Sequence, residues 1–426
     1  MDHFHYQDGL LMAESVSVRR IVEAVGTPAY VYSTATMERH FDVFEGAFAG
    51  RDVLVCYAVK ACGNIAVVRT LARRGAGADV VSGGELRRAL EAGIPPEKIV
   101  FSGIGKTREE MAAALRAGIL QINVESEPEL EALSEVASEL GLIAPVAVRI
   151  NPDVDAGTHE KIATGKRENK FGIAWTRAGE VYDRAAKLPG IRVAGMAMHI
   201  GSQITDLAPF RAAYERFRDV AASLRQAGHA IDNLDIGGGL GIPYGAGEGD
   251  KDLPLPEAYG AMVMEVFKDF PGRIVLEPGR VIVGNAGILV TRVLYVKEGE
   301  GRRFVIIDAA MNDLIRPTLY GAHHAIWTET EPAPDATPVV VDVAGPICET
   351  GDIFAKERPL PPVVAGDILV LRTAGAYGAA QSSTYNARAL VPEVLVRDSD
   401  FAVIRRRFDI EDQLALETQP AWLANR

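Results

Sequence analysis

The segment "VLVCYAVKACGN", Val53 to Asn64, carries one lysine, Lys60, just beyond a run of apolar and β-branched residues. A lysine that loses its proton in such surroundings is a nucleophile able to form a Schiff base with a carbonyl. The plainer reading is a strand-end lysine whose stem covers apolar surface while its amine reaches solvent. Further along, "DIGGGLG" sets Gly237, Gly238 and Gly239 in succession. Such a run lets the backbone approach a ligand and turn its N–H groups toward an anion without obstruction from Cβ. Taken alone it is equally a tight turn, and it lacks the following βαβ unit with an acidic partner that a dinucleotide fingerprint requires. The segments "HIGS", His199 to Ser202, and "EPGR", Glu277 to Arg280, add an imidazole, a hydroxyl, a carboxylate and a guanidinium. Each has a dull reading on its own: a glutamate before proline is usually solvated, and a buried histidine is more often a satisfied core residue.

The hydrophobic pattern supplies a scaffold that brings these residues to one place. A chain of 426 residues with 48% hydrophobic and 24% charged residues is a globular protein longer than one ordinary domain. Eight short apolar runs begin at Val53, Ala78, Lys98, Leu120, Pro145, Arg192, Asn233 and Arg273. Between them lie segments such as "GNIAVVRTLARRG", "GGELRRALEAG", "KTREEMAAALRAG" and "SEPELEALSEVASELG", apolar at helical spacing and ended by glycine. That alternation predicts a (β/α)8 TIM-like barrel over residues 34–285. From residue 286 to 426 strands follow one another with little helical period until "DIEDQLALE", which predicts an all-β domain. The N-terminal segment 1–33 is expected to join that domain through "GTPAYVYS".

In such barrels the chemistry sits where the strands end, and here the ends are polar: Lys60, Ser82, Ser102, Arg149, Asn151, His199, Ser202, the glycine run and Glu277 to Arg280. All are expected on one rim. The loops after the seventh and eighth strands commonly hold a phosphate. A phosphate ligand facing a lysine amine suggests pyridoxal 5'-phosphate, which needs an amine, anion donors, a carboxylate beside the pyridine nitrogen and something flat against the ring. Lys60, the glycine run, Glu277 and His199 can meet those needs in that order.

The formal charge of -12, from 45 basic and 57 acidic residues, argues against nucleic acid or an anionic membrane and for a small-molecule partner. Three cysteines, Cys56, Cys62 and Cys348, have neither metal-ligand spacing nor the number for a disulfide framework, so no metal is expected and a reducing compartment is. The start "MDHFHYQDGLLMAES" is not a signal peptide and no apolar run reaches membrane-spanning length, which makes the cytoplasm the expected location.

The ordered set "YAVKA", "DVVSGGEL", "KFGI", "HIGSQ", "DIGGGLG", "EPGR", "MNDLIRPTLY", "GPICETGD" and "GAYG" resembles the alanine-racemase-fold, pyridoxal-phosphate-dependent decarboxylases along nearly the whole chain. Within them it is most similar to the branch that acts on meso-2,6-diaminopimelate. The resemblance implies an alanine racemase-like fold and decarboxylation to L-lysine and CO2, the last step of lysine biosynthesis. It implies Lys60, Cys348 and His199 as catalytic residues. The cofactor would be bound by Lys60, His199, Ser202, Gly238, Gly239, Glu277, Gly279, Arg280 and Tyr377, and the substrate by Arg280, Arg316, Tyr320, Glu349 and Tyr377. It further implies a homodimer with shared active sites, Cys348 supplying a proton from the neighbouring subunit.

Elementary chemistry agrees with those roles. A substrate with two amino-acid ends needs a carboxylate clamp for the end that does not react, which suits Arg280, Arg316 and Tyr320, and an anion such as Glu349 for its ammonium. Without the resemblance, Arg316 is equally a surface ion pair, Glu349 a solvated loop carboxylate and Cys348 a small buried hydrophobe. The long segment after the fifth strand, 151–173, is a candidate lid whose His159, Lys161 and Lys170 can reach substrate or remain solvated. Cys62 stands where the family commonly has asparagine, which puts cofactor-ring contacts there in question. The other activities compatible with the sequence are decarboxylation of ornithine, arginine or lysine, and same-fold racemisation, which needs a second base on the opposite ring face.

Overall fold

The computed structural model describes residues 2–157, 159, 164–165, 170–245 and 253–424. The chain divides into two compact units: one spans Met37–Pro243 and continues to Gly284, and the other gathers the N-terminal segment to Thr36, Tyr244 with Gly245, and Asn285 onward.

In the first unit eight parallel strands close on themselves: Val53–Ala58, Gly77–Val80, Ile99–Phe101, Gln121–Val124, Ala144–Asn151, Ile191–Ala197, Asn233–Asp235 and Arg273–Leu276. The last pairs with the first, Ile274 opposite Val53 and Leu276 opposite Val55, and this ladder leaves no edge. Strands such as Gly77–Val80 and Gln121–Val124 are buried along their whole length, the condition of a strand covered by helices outside and filled by side chains inside. They coincide with the eight runs read from the sequence, and the (β/α)8 expectation holds.

The helices after the first four strands are Ile65–Arg73, Gly83–Glu91, Arg108–Ala117 and Glu127–Leu140. Each starts under a side-chain cap: Asn64 accepts from the Ala66 N–H, Ser82 from Glu85, Thr107 from Glu110 and Ser126 from Glu129. A cap of this kind contributes about 1 kcal/mol. Its further effect is local, because the capped residue closes the loop that leaves the preceding strand and so fixes the rim where Lys60 and Ser82 stand.

The second unit is built on the long strand Gly287–Gly299, which pairs antiparallel with Arg302–Ile307, Ile368–Leu371 and Ala29–Ser33. Ala29–Ser33 lies on its other side parallel to Glu393–Arg397, so residues from both ends of the chain share one sheet. A small three-stranded sheet, Phe4–Gln7, Leu10–Ala13 and Val16–Ser17, covers it. Phe4, Leu11, Val16, Ile21, Val31, Ile288, Val290, Val370 and Val394 form their common core. Among the described residues no helix is long and apolar enough to cross a membrane.

Candidate active site

Lys60 sits in a single 3-10 turn, Val59–Ala61, directly after the first barrel strand. Its Nζ donates to Asp79 Oδ2 at 2.6 Å, and Asp79, in the second strand, is fully buried. The side chain of Lys60 is 36% exposed, so the amine stands at the rim with its charge paired from below. Asp79 Oδ1 has no hydrogen-bond partner among the described residues. Sequence reasoning passed over Asp79; the signal was a carboxylate inside an otherwise apolar strand, which must find a cation or a proton. Cys62 is buried and its carbonyl accepts from the Tyr57 hydroxyl at 3.1 Å.

Glu277 directly follows the eighth strand, buried, with Ser102 Oγ donating to its Oε1 at 3.1 Å. Asn123 Nδ2 donates both to Ser102 Oγ at 3.0 Å and to Asp235 Oδ2 at 2.8 Å. Gln121 Nε2 holds Asn123 Oδ1 at 2.9 Å. The barrel floor is thus a polar network drawn from five strands, with Asp79, Asp235 and Glu277 as its carboxylates. Burial, then the charges of Asp235 and Asp79, push the Glu277 carboxyl well above its ordinary range, against the opposing pull of Lys60. Burial likewise pushes Asp235 up to about 6, partly countered by the hydrogen bonds from Asn123 and Gly237. Three carboxylates facing one lysine cannot all stay ionised, and Glu277 is therefore a group that retains a proton it can share with a pyridine nitrogen.

His199 follows the sixth strand and is half-buried. Its Nδ1 accepts from the Gly238 N–H at 3.2 Å. Burial, with the positive charges of Arg149 and Lys60, holds it well below its usual range. The ring is neutral, and with Nδ1 accepting, its proton lies on Nε2. The glycine run differs from expectation in one respect: Gly237 N–H is spent on Asp235 Oδ1 at 3.1 Å and Gly238 N–H on His199. Gly238 therefore acts through His199 and through its lack of a side chain, since a Cβ there would lie 2.1 Å from the Glu277 carbonyl. The N–H groups of Gly239 and Gly279 have no partner among the described residues. Gly239 has φ +115°, and a Cβ on it would meet the Gly201 carbonyl at 2.4 Å, so the loop is a cradle that only glycine fits. Arg280, buried, donates from Nη2 to Ser202 Oγ at 3.0 Å. The barrel unit thus gathers Lys60, His199, Ser202, Gly238, Gly239, Glu277, Gly279 and Arg280 at its strand ends.

The remaining expected residues belong to the second unit. Arg316 is buried at the start of the helix Arg316–Tyr320, which removes the surface ion-pair alternative. Cys348 is exposed and donates from Sγ to Asn386 Oδ1 at 3.3 Å, which removes the buried-hydrophobe alternative. Glu349 accepts from the Tyr385 hydroxyl. Tyr377 takes φ +56°, a conformation rare for a bulky side chain and often found at ligand clamps. Of the candidate lid, Lys170 lies 5.3 Å from the Phe171 ring centroid, with Arg149 also over that ring at 4.8 Å. His159 is exposed, and Lys161 lies outside the described residues.

A closed parallel barrel carrying a rim lysine over a buried carboxylate and a glycine-only cradle is the site of a pyridoxal-dependent enzyme, and the family model "Pyridoxal-dependent decarboxylase, pyridoxal binding domain" matches residues 34–284. Among curated relatives, diaminopimelate decarboxylase of Zymomonas mobilis is 49% identical over 99% of this chain and 99% of its own. Among solved structures, diaminopimelate decarboxylase from M. jannaschii, in complex with L-lysine, superimposes with a TM-score of 0.93 at 37% identity, covering 99% of each chain. The Helicobacter pylori enzyme, also with L-lysine, gives 0.89 at 40% identity, covering 93% of this chain and 98% of its own. The chain belongs to the diaminopimelate decarboxylase family of pyridoxal-dependent decarboxylases, and its cofactor is pyridoxal phosphate.

Proposed function

We propose that the protein removes CO2 from meso-2,6-diaminopimelate to give L-lysine, the last step of lysine biosynthesis, as a cytoplasmic homodimer with shared active sites. The observation that carries the reading is the Lys60 amine held on Asp79 at 2.6 Å beside the glycine cradle and the buried Glu277. Whole-chain similarity to diaminopimelate decarboxylases supports the choice of substrate.

Lys60 would hold the cofactor through Nζ. The Gly239 and Gly279 N–H groups, with Ser202, Arg280 and Tyr377, would receive its phosphate, a task for which backbone donors at a glycine turn are suited. Neutral His199 would serve the cofactor ring without adding a charge to it. Glu277 would share its proton with the ring nitrogen. When bound, the cofactor supplies the electron sink that makes loss of a carboxylate from an α-carbon feasible. Arg280, Arg316 and Tyr320 hold the carboxylate at the far end of the substrate and Glu349 its ammonium. This orients the reacting end, and the difference between ends is what a decarboxylase must read. Cys348 then delivers a proton to the reacting carbon. Its exposure in a single chain, together with that of Glu349, supports their service to a partner's site.

The test is purified protein with pyridoxal phosphate, scored for a visible absorption band abolished by borohydride and for CO2 from meso-diaminopimelate, ornithine and lysine. Gas from diaminopimelate and loss of both signals in Lys60→Ala are expected. Gas from ornithine but none from diaminopimelate would overturn the substrate, and full turnover by Lys60→Ala would overturn the chemistry.

A further inference from the structure

A guanidinium that reads one carboxylate of a ligand must be held in one orientation, because its donors form a fixed planar fork. Arg316 Nη1 is 2.8 Å from His324 Nε2. The Arg316 Cζ lies 4.5 Å from the centroid of the Tyr244 ring, which meets His324 edge-on with centroids 5.3 Å apart. His324 is fully buried, and its Nδ1 is 2.9 Å from the Arg372 carbonyl.

These contacts define the state of the ring. A guanidinium only donates, so Nε2 accepts; a carbonyl only accepts, so Nδ1 carries the proton. His324 is therefore neutral, in one tautomer, since a doubly protonated ring has no lone pair to offer Arg316. The residue is itself pinned, because Arg358 Nη1 donates to its carbonyl at 2.9 Å. Tyr244 is tied down by its carbonyl, which accepts from the Ala325 N–H at 3.2 Å. With one terminal nitrogen on His324 and one face on Tyr244, both the in-plane rotation and the tilt of the guanidinium are set. A carboxylate in the place of His324 would hold Arg316 as firmly but cancel its charge. A neutral acceptor orients the cation without cancelling it.

Given the far-carboxylate role of Arg316 under the proposed function, we infer that His324 is a positioning residue for substrate specificity: it presents the Arg316 guanidinium, stacked on Tyr244, to the carboxylate of an amino-acid ligand and so separates such ligands from diamines that lack it. None of the sequence motifs marks this histidine, which stands in "GAHHAI" four residues after Tyr320.

L-lysine and cadaverine differ by that one carboxylate, so binding of each to the holoenzyme, measured by calorimetry, isolates the effect. Arg316→Ala and His324→Leu are each expected to weaken L-lysine by about 10- to 100-fold, the loss for a charged hydrogen bond, and to move cadaverine by less than about twofold. The KM for diaminopimelate should rise in step while kcat changes by less than about threefold. His324→Gln, whose amide oxygen can accept from Arg316, should restore most of the L-lysine affinity. If His324→Leu does not fold, His324→Asn, which can reach the Arg372 carbonyl but not Arg316, makes the same test. Equal weakening of both ligands by the His324 variants while Arg316→Ala discriminates would overturn the inference and leave the Arg316 assignment standing. Failure of Arg316→Ala to discriminate would overturn both.

Discussion

The buried carboxylates Asp235 and Glu277 are expected to contribute stability that is lost as pH rises through the mildly acidic range. Asp235 is the clearest case, displaced from 3.8 to about 6 mainly by burial. Between those values the unfolded chain has released this proton and the folded protein still holds it. The stability contributed by this group is therefore fully present below about pH 4, falls as pH climbs, and is lost above about pH 6. The displacement amounts to about 3 kcal/mol across the window. Asp235→Asn cannot titrate, and it relieves Glu277 of the largest of its repelling charges, so the slope contributed by Glu277 shrinks as well. Urea unfolding of the apoprotein, followed by circular dichroism from pH 4 to 7.5, should show wild type falling relative to Asp235→Asn by about 3 kcal/mol. The variant also forfeits one of the two hydrogen bonds that Asp235 accepts, from Asn123 and from Gly237, an offset that is the same at every pH and leaves the slope intact. Parallel profiles for wild type and Asp235→Asn would refute the claim that burial keeps a proton on the barrel floor.

Gly239→Ala must place a Cβ 2.4 Å from the Gly201 carbonyl at φ +115°, a strain of about 1–3 kcal/mol. Titration of the apoprotein with pyridoxal phosphate should show affinity lowered by roughly 5- to 150-fold; unchanged affinity would remove Gly239 from the cradle. Cys348→Ala should lower kcat by about 100-fold or more, as expected for loss of a positioned proton donor, with KM for diaminopimelate within about twofold. A kcat equal to wild type would take Cys348 out of the proton path.

Legibility divides along the range of the interactions involved. The barrel was readable because each strand and helix announces itself locally: "VLVCYAV" is apolar on both faces, and "KTREEMAAALRAG" carries its own capping box, Thr107 with Glu110. Lys60, His199 and Glu277 were readable because each closes a strand, and the architecture sends strand ends to one rim. Asp79, Asn123 and Asp235 were not, because a polar residue within a strand points in or out according to a register that only barrel closure sets. The spending of the Gly237 and Gly238 N–H groups on Asp235 and His199 was equally hidden, since both hydrogen bonds depend on how one loop settles against its neighbours.

The sequence by itself determined the strand and helix order, the rim lysine, the glycine-only loop and, through the set of motifs, the decarboxylase family. Those follow from short-range periodicity and from residue types that tolerate no substitute. Tertiary structure alone decided which carboxylates share the barrel floor, which tautomer His199 and His324 adopt, and what steadies Arg316. Each of these depends on hydrogen bonds between residues distant in the chain, as with Asp235 and Asn123, and no local pattern encodes such a meeting.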